Sequence, residues 1–334
     1  MLPQGLAAAT RRSGRRRWLL AAGISIVLRA AGALLATHPV TFAGFRQQTP
    51  VRFAQLKGLA IDGRGDIYAV DHLKARVLEL SAQGSLLTEV QLFERGRPVA
   101  GDYSTVGPDG IVLDAAGNVY VASYTYHGIQ KITPAGKIVG PWPYDIGRPQ
   151  QKPFSPTGMA LDPIGNLYVA DTLDGQILKI SRSGRVSVFW GNAVSPSGQL
   201  QGPTGIAVGK DGVVYASDTE NSRILRISPS GKSLGYWGAQ GIGPGQLESP
   251  GGLVVDAAGN VYVADTDNHR IQKFSPMGHP LAEWGLPQLR LNSPIDVKLD
   301  AQGNVYVADS SSDLIVKLSP AGKVLETWGG QASS

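Results

Sequence analysis

Residues 252–274 have the sequence Gly-Leu-Val-Val-Asp-Ala-Ala-Gly-Asn-Val-Tyr-Val-Ala-Asp-Thr-Asp-Asn-His-Arg-Ile-Gln-Lys-Phe, and variants of it recur along the chain. The copies align on the tyrosine of the Gly-Asn-Val-Tyr-Val-Ala-Asp segment. Six tyrosines hold this position at spacings of 52, 48, 47, 47 and 44 residues: Tyr68, Tyr120, Tyr168, Tyr215, Tyr262 and Tyr306. Self-similarity at a steady period of this length is typical of repeat proteins.

Each copy predicts four short strands, a to d, joined by tight turns. In the fifth copy we expect strand a over residues 252–256, b over 260–264, c over 270–274 and d over 280–284. Asp256 and Gly259 suit the a–b turn, because the carboxylate accepts a local N–H and the glycine adopts a positive φ. Pro276 and Gly278 suit the c–d turn for similar reasons. Turns this short make the paired strands antiparallel.

A four-stranded sheet that is apolar on both faces is not stable alone, but six of them stacked around an axis bury those faces between neighbours. The sequence therefore predicts an all-β fold, a six-bladed β-propeller of four-stranded antiparallel blades. This domain is expected to span residues 53–330.

The N-terminus has a different composition. Five arginines lie between Arg11 and Arg17, and an uncharged apolar run follows from Trp18 to Leu28. A basic region before a short apolar run is typical of an export signal. We expect residues 1–37 to be a signal peptide or a membrane anchor, residues 38–52 to be a linker or lead-in strand, and the body to be extracytoplasmic, whether secreted, periplasmic or anchored to the membrane.

The charge balance argues against a nucleic-acid partner. Residues 1–45 hold six of the 31 Lys and Arg residues and no acid, which leaves 25 basic against 26 acidic residues in the rest. A body with a net charge of −1 lacks the basic surface that phosphate binding needs. The chain has no cysteine, which excludes disulfides and Cys-ligated metals.

Residues 241–274, which run from Gly-Ile-Gly-Pro-Gly-Gln-Leu into the repeat quoted above, resemble an NHL repeat. The resemblance extends over all six copies and implies the propeller fold. It implies less about function, because NHL propellers include RNA binders, protein scaffolds, extracellular sensor domains and lyases. The several His residues that hold zinc in the lyases have no evident counterpart here.

Residues that recur in every blade favour structural roles. The acid that ends strand b is expected to serve its own b–c loop, in five copies: Asp71, Asp171, Asp218, Asp265 and Asp309. Tryptophans near the end of strand d favour packing between blades: Trp142, Trp190, Trp237, Trp284 and Trp328. His127 and His269 occupy equivalent positions, which also favours a structural role.

Departures from the repeat indicate function, and they concentrate in the loops around the second blade. These loops combine aromatic and charged side chains, which suits a protein or a small extracellular ligand. The candidate ligand-binding residues are Tyr103, Tyr124, Tyr126, His127, Trp142, Tyr144, Asp145, Arg148 and Phe154. Ordinary loop variation with buried aromatic anchors is the competing interpretation.

A second departure lies at the mouth of the central channel. Strand a opens with glycine in five copies but with Asp296 in the sixth, and Asp109 points to the same rim. Two carboxylates there are a candidate Ca²⁺ site, with Lys57, Thr157 and Thr204 lining the rim. We expect a non-catalytic ligand-binding or sensor module without a cofactor. The alternative is a Ca²⁺-assisted lactonase-like or lyase-like enzyme at the channel mouth.

Overall fold

A computed structural model describes residues 51–92, 107–124, 127–141, 154–191, 199–285 and 289–330. These residues form six four-stranded antiparallel sheets, and the strands of each sheet are adjacent in the order of the chain. The first three sheets contain β1 Leu56–Ile61, β2 Ile67–Asp71, β3 Arg76–Leu80, β4 Leu86–Gln91, β5 Gly110–Leu113, β6 Val119–Ser123, β7 Gly128–Ile132, β8 Ile138–Pro141, β9 Pro156–Leu161, β10 Leu167–Asp171, β11 Gln176–Ile180 and β12 Val186–Trp190.

The other three sheets contain β13 Pro203–Val208, β14 Val214–Asp218, β15 Arg223–Ile227, β16 Ser233–Trp237, β17 Pro250–Val255, β18 Val261–Asp265, β19 Arg270–Phe274, β20 Pro280–Gly285, β21 Pro294–Leu299, β22 Val305–Asp309, β23 Leu314–Leu318 and β24 Val324–Gly329. Short 3-10 turns follow β14 and β18, at Thr219–Asn221 and Thr266–Asn268. The predicted six-bladed propeller is confirmed. In the fifth blade strand c has the predicted bounds, while strand a begins two residues earlier than predicted.

The hydrophobic core lies between blades. One cluster joins Tyr168 and Ile177 of the third blade to Ile206 and Ala216 of the fourth. Strands b and c supply most of the fully buried positions, whereas strand d is largely exposed. Burial of apolar area between neighbouring sheets therefore holds the ring together, as expected for a repeat whose units are not stable alone.

The turns form for the expected reasons. Asp256 Oδ1 accepts hydrogen bonds from the backbone N–H groups of Ala258 (2.9 Å) and Asn260 (2.8 Å). Gly259 has a φ of 85°, a conformation that glycine adopts without steric cost. This a–b turn sets the antiparallel register that brings Val255 opposite Val261.

The acid that ends strand b serves its own blade. Asp265 is fully buried and accepts hydrogen bonds from the Glu248 N–H (2.7 Å) and from Arg270 Nε (2.7 Å). Asp218 makes the equivalent contacts with the Gln201 N–H (2.7 Å) and Arg223 Nε (2.6 Å). Each carboxylate thus ties the end of strand b to strand c, as the sequence predicted, and also to the segment before strand a.

The strand-d tryptophans of the fourth and fifth blades pack on the following blade. A Cβ on Gly278 of the fifth blade would lie 2.2 Å from Trp237 of the fourth, and Gly322 of the sixth meets Trp284 of the fifth at 2.0 Å. Glycine at the c–d turn therefore leaves room for the neighbouring indole. The expected role in packing between blades is confirmed for these tryptophans.

The ring closes between the sixth and first blades without a shared strand, because each sheet contains four consecutive strands. Trp328 Nε1 donates to the Gln83 carbonyl oxygen at 3.2 Å and its ring packs on Gly84. Asp313 Oδ1 accepts from the Leu56 N–H at 3.0 Å. Residues 51–55 are not a strand, and Phe53 packs at this junction against Tyr306.

The predicted signal or anchor over residues 1–37 and most of the lead-in over 38–52 lie outside the described residues. Within the ranges that the structure describes, no helix has the length and apolarity needed to span a membrane.

Candidate functional site

A cavity of about 290 Å³ lies at the mouth of the central channel, where the six a strands begin. Successive blades place equivalent residues around it. The second residue of the strand-a motif gives the set Lys57, Asp109, Thr157, Thr204, Gly251 and Ile295, and the third gives the set Gly110, Gly158, Gly205, Gly252 and Asp296. The structure therefore brings together every residue that the sequence placed at the channel rim.

The glycines at the third position permit close approach of adjacent inner strands. A Cβ on Gly110 would lie 2.0 Å from the Thr157 carbonyl oxygen, and one on Gly158 would lie 2.2 Å from that of Thr204. No side chain fits such a contact without movement of the backbone. The wall of the cavity is accordingly formed by backbone at this level.

Asp296 replaces glycine at the blade that closes the ring. Its Oδ2 accepts a hydrogen bond from the Leu59 N–H of the first blade at 2.9 Å, and its Oδ1 accepts from the Val297 N–H at 2.9 Å. Oδ1 also forms an ion pair with Lys298 Nζ. Asp296 is therefore committed to the closure of the ring and to a neighbouring cation.

Asp109 lies at the junction of the first and second blades. Its Oδ2 accepts from the Tyr124 N–H at 2.8 Å, and its Oδ1 lies 3.5 Å from Nδ1 of His72. The same His72 nitrogen is 3.0 Å from the Pro108 carbonyl oxygen. The hydrogen bond with the Asp109 carboxylate raises the pKa of His72, against the opposing effects of burial and of Lys57.

His72 holds a position that threonine holds in other blades. Hydroxyl groups donate to the first strand-a carbonyl of the next blade, from Thr172 to Pro203 (2.8 Å), from Thr219 to Pro250 (2.9 Å) and from Thr266 to Pro294 (2.8 Å). His72 makes the equivalent contact with Pro108 through an ionisable ring. Of the four junctions that these residues bridge, the one between the first and second blades is bridged by a titratable side chain.

Lys57 differs from the other charged residues of the cavity wall. Among the residues that the structure describes, its ammonium group has neither an ion pair nor a hydrogen bond. Asp109 occupies the equivalent position in the next blade, yet the two form no ion pair with each other. A partly desolvated cation without a partner is unfavourable, so Lys57 is available to an anionic group.

The opposite side of the cavity is uncharged. The Thr157 hydroxyl is 2.8 Å from that of Thr172, and the Thr204 hydroxyl is 2.7 Å from that of Thr219, so these polar groups are already paired. Met159, Ile206 and Leu253 add apolar lining, and Ser249 and Thr266 also line this side. The cavity therefore has a charged side over the sixth, first and second blades and an uncharged side over the third to fifth.

The two candidate carboxylates do not by themselves supply a Ca²⁺ shell. Ca²⁺ takes six to eight oxygen ligands, whereas the candidate carboxylates are two, and one of them is paired with Lys298. Within the described ranges, no group of three or more His, Asp or Glu side chains could hold a metal ion. The second carboxylate, Asp109, already accepts from a backbone N–H and faces His72.

Of the nine candidate ligand-binding residues, the structure describes three. Tyr124 is half-buried and its N–H donates to Asp109, whereas Phe154 is buried in the core cluster of the second and third blades. His127 has a φ of 56°, and its Nδ1 is 3.0 Å from the Phe154 carbonyl oxygen. Outside the described residues lie Tyr103, Tyr126, Trp142, Tyr144, Asp145 and Arg148.

Two residues of the site were not anticipated from the sequence, namely His72 and Lys298. Both break the repeat, so alignment of the six copies offers a signal for each. His72 follows the strand-b acid where three blades have threonine, and Lys298 is the fifth strand-a residue, where the other copies have alanine or valine.

The His72 contact predicts a pH-dependent stability. Because its pKa is raised in the folded state, His72 stabilises the fold below its ordinary pKa, and this contribution is lost as the pH rises through the folded-state pKa. At acid pH we expect the free energy of unfolding of the wild type to exceed that of His72→Thr. At alkaline pH the two values should become nearly equal. Urea unfolding across this range measures the difference, with His279→Thr in an exposed turn as the control. A difference that grows with rising pH would contradict the assignment.

Comparisons with known proteins agree with this architecture. The NHL repeat family matches residues 200–227 and 247–274. No curated protein matches the chain in sequence.

Solved structures with the same fold differ in activity. An inactive virginiamycin B lyase from Staphylococcus aureus with quinupristin has a TM-score of 0.62 at 17% identity, covering 86% of this chain and 89% of the lyase. A chain of a nidogen–laminin complex gives 0.57 at 19%, covering 78% and 93%. The calcium-binding protein regucalcin from Agrobacterium tumefaciens gives 0.55 at 16%, covering 85% and 92%. At such identities the likeness extends to the fold alone. The chain is thus a six-bladed β-propeller that contains two matches to the NHL repeat, at residues 200–227 and 247–274.

Proposed function

We propose that this propeller is a non-catalytic binding or sensor module that works outside the cytoplasm and takes its ligand at the channel-mouth cavity. The observation that carries the proposal is which charged side chains of this cavity are paired with each other and which are not. Asp296 and Lys298 neutralise each other, whereas Lys57 and Asp109 face the cavity without pairing with each other. A concave site with a few available polar groups and an apolar floor is what a small-ligand site requires.

Exposed side chains around the cavity also indicate that this face of the propeller is the binding face. Leu73 of the first blade is 60% exposed and Leu173 of the third is 56% exposed, at equivalent positions of their b–c loops. The fourth and fifth blades carry the exposed acids Glu220 and Asp267 there. The apolar positions thus flank the divergent loop of the second blade, where a protein partner or a larger ligand would gain contact area.

Thermal unfolding in the presence of a panel of small metabolites and lactones tests the proposal. A ligand at a hundred times its Kd should raise Tm by about 5 °C. Ile295→Trp, which narrows the cavity, should abolish the shift, whereas Ile242→Trp, at a position 82% exposed, should not. The ligand should be recovered unchanged. Turnover of a panel member, or shifts insensitive to Ile295→Trp, would count against a binding module with this site.

The second candidate is a Ca²⁺-assisted lactonase-like or lyase-like enzyme, favoured by the presence of both Asp109 and Asp296 in one cavity and by the likeness to a calcium-binding propeller. Because one carboxylate is paired with Lys298 and the described residues hold no group of three or more His, Asp or Glu side chains that could bind a metal, we expect millimolar Ca²⁺ to leave Tm unchanged. A rise in Tm with Ca²⁺ that Asp109→Asn removes would instead support the enzyme.

The location is tested separately. We propose that Arg11–Arg17 and Trp18–Leu28 direct export, because a basic segment before an apolar run keeps the N-terminus inside and sends the body outside. Residues 1–50 fused to a phosphatase active only outside the cytoplasm should give activity in the native host. The pair Ile24→Arg and Ile26→Arg should silence it. A stably expressed but inactive parent fusion would refute export.

A further inference from the structure

We infer that the channel-mouth cavity binds a small zwitterion, a free α-amino acid with an apolar side chain. Lys57 would receive the carboxylate, Asp109 the ammonium group, and the uncharged side of the cavity the apolar body. The inference rests on the proposed function and names the chemical class of its ligand.

The charges of the cavity are arranged for a ligand that carries both signs. Lys57 and Asp109 occupy the same position in adjacent blades, and both line the cavity. Opposite charges on neighbouring strands ordinarily pair, but the described structure has no ion pair between these two. A ligand whose ammonium and carboxylate groups are attached to one carbon would compensate Lys57 and Asp109 at once. A simple anion or cation would compensate one of them alone.

The other charges of the cavity are unsuited to be the recognition pair. The Asp296 carboxylate accepts from two backbone N–H groups and pairs with Lys298, so it is satisfied within the protein. Asp109 retains acceptor capacity, because a carboxylate has about four lone-pair sites and the Tyr124 N–H and His72 account for two.

The size and polarity of the cavity fit the same class of ligand. A cavity of about 290 Å³ lies at the lower limit of ligand pockets and suits a molecule of amino-acid size. Opposite Lys57, the lining includes Met159, Ile206 and Leu253, and the nearby hydroxyls of Thr157 and Thr204 are already paired. An apolar side chain can therefore pack against these residues without breaking the hydrogen bonds of the two threonines.

Calorimetric titration of the full chain tests this with three probes of one shape. L-leucine carries both charged groups, isocaproate lacks the ammonium group and isoamylamine lacks the carboxylate. We expect leucine to bind roughly 10- to 100-fold more tightly than either, the size of effect that one charged hydrogen bond gives. These arms use wild-type protein and do not depend on the folding of any variant.

Two variants assign the groups. Lys57→Gln should weaken the binding of leucine and of isocaproate by roughly 10- to 100-fold and leave the affinity for isoamylamine unchanged. Asp109→Asn should weaken the binding of leucine and of isoamylamine and leave the affinity for isocaproate unchanged. Lys210→Gln, at an exposed turn, is the matched control and should change none of the affinities.

The inference is overturned if isocaproate binds as well as leucine, or if Lys57→Gln leaves leucine binding intact. It is also overturned if leucine does not bind but another ligand does, and if the binding of that ligand is lost in Ile295→Trp. That last result would leave the proposed function standing. If no ligand shows binding sensitive to Ile295→Trp, the proposed function itself fails.

Discussion

Replacing Asp265 with alanine is expected to lower the free energy of unfolding by about 3–5 kcal/mol, the cost of breaking a buried ion pair. The carboxylate is fully buried and accepts from the Glu248 N–H, from Asn268 Nδ2 and from Arg270 Nε. Gln272 Nε2 donates to it as well, at 2.9 Å. Its removal leaves the Glu248 N–H and the Arg270 Nε–H without an acceptor, in a buried setting.

Urea unfolding measures the effect, with Asp267→Ala as the matched control. Asp267 lies two residues further along the same loop and is exposed, so its loss should change stability by no more than about 0.5 kcal/mol. If Asp265→Ala unfolds outright, Asp265→Asn preserves the shape and should show a smaller loss. A stable Asp265→Ala protein that instead fails to bind ligand would mean that these repeated acids form a ligand ring.

Gly84→Ala is expected to cost about 2–5 kcal/mol and to open the ring at its closure. Two causes combine, since alanine is strained at a φ of 80° and its Cβ would lie 1.9 Å from Nε1 of Trp328. That indole caps the junction between the last and first blades, where no shared strand holds the ring.

Gly136→Ala separates the two causes. Gly136 is the equivalent c–d turn glycine of the second blade and has a φ of 74°, and a Cβ added there would meet no described atom within 4 Å. Its replacement should therefore cost only the backbone strain, about 1–2 kcal/mol. Equal losses of unfolding free energy for the two variants would show that the Trp328 contact contributes nothing to closure.

The repeat made the fold predictable from sequence. Asp256, Gly259, Pro276 and Gly278 specify turns by local chemistry alone, and six copies of one pattern leave few architectures that bury both faces of each sheet. Strand a begins two residues earlier than predicted. Pro250 pairs with Asp265 of strand b beyond a register shift, which the local pattern does not specify.

The site was predictable only in part. Strand-a alignment identified Lys57, Asp109 and Asp296 as rim residues, since equivalent positions in a propeller surround one axis. What each carboxylate does could not be derived, because it depends on partners far away in sequence. Asp296 accepts from the Leu59 N–H, 237 residues earlier, a contact that the local pattern does not contain.

Occupation of the channel-mouth cavity by ligand is the central claim, and the methionines offer a direct test of it. The chain has three, of which Met159 lines the cavity at 6% exposure and Met277 lies on an outer turn at 64% exposure. In protein labelled with methyl-¹³C methionine, a ligand that raises Tm should shift the Met159 methyl resonance and leave that of Met277 in place. Saturating ligand that leaves the Met159 resonance unmoved would contradict the claim.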